Sequence, residues 1–135
     1  MKESISIVSE SDTIFARRRG REMARSAGFN LVDQTRIAIG ISELSRNIVL
    51  YARKGKIEIE IVRCAGTLGI EIRAIDEGPG IPDLDKAMLD GYSTSAGLGM
   101  GLPGTKRIMD EFSVDTAIGS GTKVMVRKWL NKELY

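Results

Sequence analysis

The sequence predicts an α+β chain, a two-layer α/β sandwich in which helices cover one face of a mixed sheet. Three observations carry that expectation. Ile57, Ile59 and Ile61, then Leu68, Ile70, Ile72 and Ala74, recur with a period of two residues and read as an antiparallel hairpin joined by Cys64-Ala65-Gly66-Thr67. Their clean alternation with Glu58, Glu60, Val62, Gly69, Glu71, Arg73 and Ile75 implies one covered and one largely wet face, whereas a doubly wound parallel sheet carries near-continuous apolar strands. Upstream of the hairpin, two segments place apolar residues at helical spacing.

Taken in order, Ile5, Val8 and their neighbours form a short first strand, and Ser9-Glu10-Ser11-Asp12 supplies polar side chains to cap the helix that follows. Ala16, Gly20, Met23, Ala24 and Ala27 mark the buried side of that helix. Gly28 stops it, because glycine accepts a left-handed conformation and Phe29 can fold back on the last turn. Asn30 and Asp33 resemble a capping pair for a second helix, whose stripe of Ile37, Ile41, Leu44 and Ile48 runs towards Tyr51 and should pack on the sheet. After the hairpin and a glycine-rich connection, Pro103 to Phe112 has helical character. Strands around Phe112 to Thr116 and Thr122 to Trp129 complete the sheet.

A chain of 135 residues, 42% of them hydrophobic, suits one domain, residues 1–135, with a core of ordinary size. Its 20 Lys and Arg against 18 Asp and Glu leave a formal net charge of +2, and aromatics make up 5%, so neither a phosphate-backbone footprint nor a base-stacking platform is evident and no nucleic acid partner is expected. Stretches such as Ile37-Ala38-Ile39-Gly40-Ile41 fall short of the about 20 residues that cross a bilayer, and the N-terminus lacks a signal-peptide apolar region, so the expected setting is cytoplasmic with no membrane contact. Cys64 is the single cysteine, which excludes an internal disulfide and a cysteine-based zinc cage. Histidine is absent, which removes Ser/His/Asp catalysis, histidine metal sites and a phosphohistidine intermediate within this polypeptide.

Counting on from Leu68, Ile70, Ile72 and Ala74 puts Asp76 on the covered face. An inward carboxylate needs hydrogen-bond donors, since an unpartnered buried charge is costly, and the amino group of adenine would serve. Gly78 and Gly80 then open room for a flat ring. Thr122, in register with Val124 and Val126, reaches the same face and offers a hydroxyl; its alternative reading is a capped strand end. Glu43 and Asn47 share one stripe of the second helix. Asn47 offers Mg²⁺ a neutral oxygen ligand, and Glu43, ionised at neutral pH, is a candidate base for an attacking hydroxyl or water. A solvated pair near a helix end is the bland alternative. Gly97, Gly99, Gly101 and Gly104 precede the third helix, where backbone amides and the helix dipole suit phosphate oxygens.

Gly99-x-Gly101-x-x-Gly104 lacks the leading strand of a dinucleotide fingerprint, and Thr105-Lys106 reverses the Lys-Ser/Thr order of a P-loop, so both matches are accidental. The segment 82–100, irregular and polar from Pro82 to Ala96, reads as a lid over nucleotide or as a plain surface loop. Arg18, Arg21 and Arg25 share one side of the first helix, with Arg17 and Arg19 beside them; the face is either solvated or a docking surface for an acidic partner.

Glu43/Asn47, Asp76-x-Gly78-x-Gly80 and Gly97-x-Gly99-x-Gly101 resemble the N, G1 and G2 boxes of the GHKL (Bergerat-fold) ATPases. Ile41 to Ile48, Asp90 to Ser95 and Gly101-Leu102-Pro103-Gly104 extend the resemblance to the serine/threonine switch kinases of bacterial stressosomes. That resemblance implies transfer of phosphate from Mg-ATP to Ser or Thr of a STAS-domain scaffold or antagonist protein, then release of the kinase to bind and activate a PP2C-type phosphatase through its regulatory domain. It also implies ATP contacts at Asn47, Asp76, Gly78, Gly80, Ile81, Gly97, Leu98, Gly99, Met100, Gly101, Leu102 and Thr122, metal coordination by Asn47 and base catalysis by Glu43. An anti-sigma factor kinase that sequesters a sigma factor is the alternative, and a bare ATPase module a further one, against which the lack of a transducer segment argues.

Overall fold

A computed structural model describes residues 1–89 and 101–130. Strand β1 (Lys2–Ile7) leads into helices α1 (Glu10–Ala27) and α2 (Leu31–Asn47); a π-turn (Ile48–Ala52) then feeds strands β2 (Gly55–Cys64) and β3 (Thr67–Asp76). The short helix α3 (Leu84–Ala87) and helix α4 (Gly101–Ile108) precede strands β4 (Glu111–Ala117) and β5 (Gly121–Trp129). The strands form one sheet in the order β1-β2-β3-β5-β4.

Local chemistry sets these boundaries. At the start of α1, the Asp12 carboxylate accepts from the amides of Val8 at 2.8 Å and Ser9 at 3.1 Å, bonds that hold its pKa below the ordinary carboxylate value. Gly28 ends α1 at φ 104°, a conformation that penalises any side chain, and the Phe29 amide returns to the Ala24 carbonyl at 3.1 Å. The Asn30 side chain accepts from the Asp33 amide at 2.9 Å to open α2. Ala65 and Gly66, both at positive φ, form the tight turn of the β2–β3 hairpin.

The core lies between the helices and one sheet face. Ile37 and Ile41 of α2 are fully buried, as are Ile57 and Ile59 of β2, Ile70 and Ile72 of β3 and Val126 of β5. Burial of each such side chain is worth about 1.5–3 kcal/mol, which makes this layer the main source of stability. Among the described residues no helix is long and apolar enough to cross a membrane.

Two expectations need correction. The sheet is not mixed: all its strand pairings are antiparallel. Two consecutive helices between β1 and β2 return the chain to the end where β1 finished, so β2 runs back beside it. Strand β4 does run parallel to β3, but its hairpin partner β5 inserts between them, so no parallel ladder forms. The last helix also runs from Gly101 to Ile108, so Gly101 and Gly104 lie within it rather than before it, and it stops short of Phe112. Lys128 Nζ donates to the Ile108 carbonyl at 3.1 Å and the Asp110 carboxylate accepts from the Trp129 amide at 2.7 Å, which turns the chain into β4. The arginine face of α1 is only partly free: Arg19 Nε donates to Glu3 at 2.7 Å and Arg21 to Thr35 at 3.2 Å, while Arg17, Arg18 and Arg25 are exposed.

Candidate functional site

Asp76 ends β3 on the helix-covered face, as the period of two requires, and pairs across the ladder with Thr122 of β5. Its Oδ1 accepts from the Gly78 amide at 2.9 Å and the Thr122 amide at 3.3 Å. The first of these bonds folds the chain sharply after the strand. Gly78 fits there because an added Cβ would lie 2.6 Å from the Ala52 Cβ, so any side chain would push the turn off the end of the preceding helix. The Thr122 and Thr116 hydroxyls are 2.9 Å apart, and Thr116 Oγ1 accepts from the Ile81 amide at 2.9 Å.

Asp76, Ile81 and Thr122 close one end of a cavity of about 470 Å³. Leu44, Asn47, Ile48, Tyr51 and Ala52 form one wall, Ala74, Asp76, Thr122 and Val124 the sheet side, and Pro79, Gly80, Ile81, Pro82 and Ala87 a rim, with Gly101 and Leu102 at the start of α4. A mostly apolar pocket of this size with a few convergent polar groups suits a small ligand with one flat apolar part. The π-turn makes the α2 wall. It carries the chain past the end of the regular helix so that both Tyr51 and Ala52 face the cavity, and it ends at Arg53 with φ 71°, a sparsely populated backbone conformation for a non-glycine residue.

The cavity thus gathers Asn47, Asp76, Gly80, Ile81, Gly101, Leu102 and Thr122, with Gly78 held to Asp76 just behind it. Glu43 lies one turn before Asn47 and does not line the cavity. It is 5% exposed; its Oε1 accepts from Arg46 Nη1 at 3.1 Å and its Oε2 from the Gly101 amide at 3.4 Å, a carboxylate placed where the first turn of α4 favours negative charge. Gly97, Leu98, Gly99 and Met100 lie outside the described residues, as does most of the expected lid beyond Leu89. Sequence reasoning missed Tyr51, Pro79, Pro82 and Ala87 as lining residues; the apolar stripe pointing at Tyr51 was the available signal.

A nucleotide fits this donor set. The Asp76 and Thr122 oxygens suit an exocyclic amine, the apolar walls suit a purine, and the α4 amides suit phosphate. Among the described residues no group of three or more His, Cys, Asp or Glu could hold a metal, so a Mg²⁺ at Asn47 would draw its other ligands from nucleotide phosphates and water, in keeping with its preferences.

Residues 32–132 match the family described as histidine kinase-, DNA gyrase B-, and HSP90-like ATPase. The serine/threonine-protein kinase RsbT of Bacillus subtilis (strain 168) is 55% identical over 126 residues, spanning 93% of this chain and 95% of its own. An anti-sigma F factor of Caldanaerobacter subterraneus subsp. tengcongensis is 36% identical over 101 residues, 71% of this chain and 70% of its own. Among solved structures, the RsbU and RsbW domains of a Mycobacterium tuberculosis protein superpose with a TM-score of 0.66 at 17% identity, over 95% of this chain and 31% of that one. The SiaB–SiaC complex of Pseudomonas aeruginosa gives a TM-score of 0.55 at 15% identity, over 96% of this chain and 89% of that one; both structures bear on the fold alone. The chain belongs to the histidine kinase-, DNA gyrase B- and HSP90-like ATPases and, within them, to the RsbT-type serine/threonine kinases.

Proposed function

We propose that the chain transfers the γ-phosphate of Mg-ATP to a serine or threonine of a STAS-domain scaffold or antagonist protein, and then binds and activates the regulatory domain of a PP2C-type phosphatase, acting in the cytoplasm without nucleic acid or membrane contact. The observation that supports this most directly is the pairing of Asp76 and Thr122 at the closed end of an apolar cavity whose wall carries Asn47. Asp76 and Thr122 take the adenine amino group; Gly78, Gly80 and Ile81 shape the turn around the ring; Asn47 supplies an oxygen to Mg²⁺; the segment from Gly97 through Leu98, Gly99, Met100 and Gly101 to Leu102 offers backbone amides to phosphate. Bound Mg-ATP supplies the phosphoryl group and the charge that neutralises it during transfer. Glu43 takes the proton of the attacking hydroxyl, for which its contacts with the Gly101 amide and Arg46 must give way.

Incubation with labelled Mg-ATP and purified STAS-domain proteins tests the reading. Wild type should label a partner Ser or Thr. Glu43→Gln should slow transfer by about 10²–10⁴-fold while keeping nucleotide affinity. Asp76→Asn should weaken ATP binding by about a hundredfold, because its amide turns a donor towards the adenine amine. No label on any STAS protein, with ATP binding intact, rejects the proposed transfer. Sequestration of a sigma factor by the unlabelling protein would favour the anti-sigma alternative, which the similarity to anti-sigma F factors supports.

A further inference from the structure

Thr116 does not line the cavity, and no box of the sequence includes it, yet its hydroxyl sits at a junction of the site. It lies opposite Thr122 in the β4–β5 ladder. Its Oγ1 accepts from the Ile81 amide at 2.9 Å, donates to the Gly121 carbonyl at 3.3 Å and lies 2.9 Å from Thr122 Oγ1. A threonine hydroxyl has one proton and two lone pairs. We assign that proton to the Gly121 carbonyl, which can only accept; with one lone pair taken by the Ile81 amide, the other is left for Thr122, which is then the donor in the Thr116–Thr122 bond. Thr122 therefore has no proton left for the cavity and presents lone pairs to it.

Asp76 is arranged to the same effect. Both of its amide donors engage Oδ1, so among the described residues Oδ2 keeps its lone pairs for a ligand. Asp76 and Thr122 then both present acceptors to the pocket. We propose that Thr116 is a positioning residue that sets purine specificity: by holding the Thr122 proton inside the sheet and tying down the Ile81 amide, it makes the site select a 6-amino purine over a 6-oxo purine. The inference rests on the reading of the cavity as an adenine nucleotide site. Adenine carries N–H donors at position six, which meet both acceptors; hypoxanthine and guanine carry a carbonyl oxygen there, which would face two acceptors without a proton between them.

The test is calorimetric binding of ATP and of ITP, with magnesium present, to wild type, Thr116→Val and Thr116→Ser. ITP replaces the 6-amino group with a 6-oxo group. Valine keeps the β-branched shape of threonine and suits a strand, and serine keeps the hydroxyl; thermal melting checks that both variants fold. Wild type should prefer ATP. In Thr116→Val the Thr122 proton loses its acceptor and turns into the cavity, where it can meet a 6-oxo group, so the ATP-to-ITP affinity ratio should narrow by about tenfold. Thr116→Ser should restore the wild-type ratio.

A wild-type ratio in Thr116→Val, or equal weakening of both nucleotides in that variant, overturns the assignment while leaving the adenine site standing. A wild type that binds ATP and ITP alike also overturns the assignment, and with it the recognition of a 6-amino group by Asp76 and Thr122. Failure of wild type to bind either nucleotide is a different result, and it removes the adenine reading together with the role assigned to Thr116.

Discussion

Ile72 and Arg73 are adjacent on β3 and point to opposite faces of the sheet, and the two faces solve the problem of buried groups differently. On the covered face Ile57, Ile59, Ile70, Ile72 and Val126 exclude water altogether, and the first strong polar group met along β3 is Asp76. Among the described residues no helix covers the other face, yet Glu71 there is only 6% exposed. Arg73 spans it, with Nε on Glu58 at 2.9 Å, Nη2 on Glu60 at 3.1 Å and Nη1 against Glu71. Arg127 continues the lattice to Glu71 at 2.6 Å and Glu111 at 3.0 Å, and the Trp129 indole N–H also donates to Glu111. The stems of these long side chains shield the carboxylates they pair with. Every acid of that lattice has a cation or an indole as partner, so the open face is closed on itself. Asp76 is held by backbone amides on one oxygen and keeps the other for a ligand. Charge density alone would have chosen the wrong face as the site; the useful difference is which carboxylate has hydrogen-bonding capacity left over.

Substitutions on adjacent β3 residues can break this contrast. Ile72→Ala removes a fully buried side chain from the covered face and should cost about 2–5 kcal/mol of unfolding free energy, read as a lower urea midpoint. Arg73→Met keeps the stem but leaves Glu58, Glu60 and Glu71 without their shared cation, with Arg127 still serving Glu71; a loss of about 2 kcal/mol is expected, less than for the core substitution because Glu60 is open to water. ATP affinity of the folded Arg73→Met protein should match wild type. An ATP affinity that falls with Arg73 would mean that the open face couples to the pocket, and the contrast between faces would fail.

Much of this contrast was legible in the sequence. The period of two in the hairpin fixed both faces, and continuing the count to Asp76 gave its inward direction without any structural knowledge. The helix caps at Asn30 and Gly28 were equally readable, because their chemistry is local. What escaped were features set by contacts distant along the chain. The sheet was expected to be mixed because pattern says nothing of which strand inserts beside which. The π-turn at Ile48–Ala52 leaves the helical period just where Tyr51 and Ala52 swing into the pocket wall. Glu43 carries the expected chemistry in sequence, but its links to Arg46 and the Gly101 amide, and its place behind the cavity rather than in it, depend on where α4 docks. Thr116 gave no signal at all, since a threonine in an edge strand is ordinary until its three hydrogen-bond partners are known.

The smallest expected effect sharpens the contrast through pH. The hydrogen bond from Arg73 holds the Glu58 carboxyl below the ordinary value, helped by the charges of Lys2, Lys56 and Arg73 and opposed by partial burial. A carboxyl whose pKa is lower folded than unfolded binds fewer protons in the native state, so its contribution is complete above the unfolded pKa of about 4.3 and disappears as pH falls through the folded value. Glu111 is lowered in the same sense, first by the Trp129 indole and then by Arg127, so these two carboxylates should lose their contributions together in acid. The variant Glu58→Gln keeps the size of the side chain and removes its proton linkage. Urea midpoints of wild type and Glu58→Gln should therefore differ at pH 7 and converge as the pH is lowered below about 4. In an Arg73→Met background the pH-dependent difference should shrink, because the main hydrogen bond is gone and only the charges of Lys2 and Lys56 remain. A midpoint difference that stays constant from neutral to acid pH would show that Glu58 acts through packing, and the open face would then be held by the stems of its side chains more than by their charges.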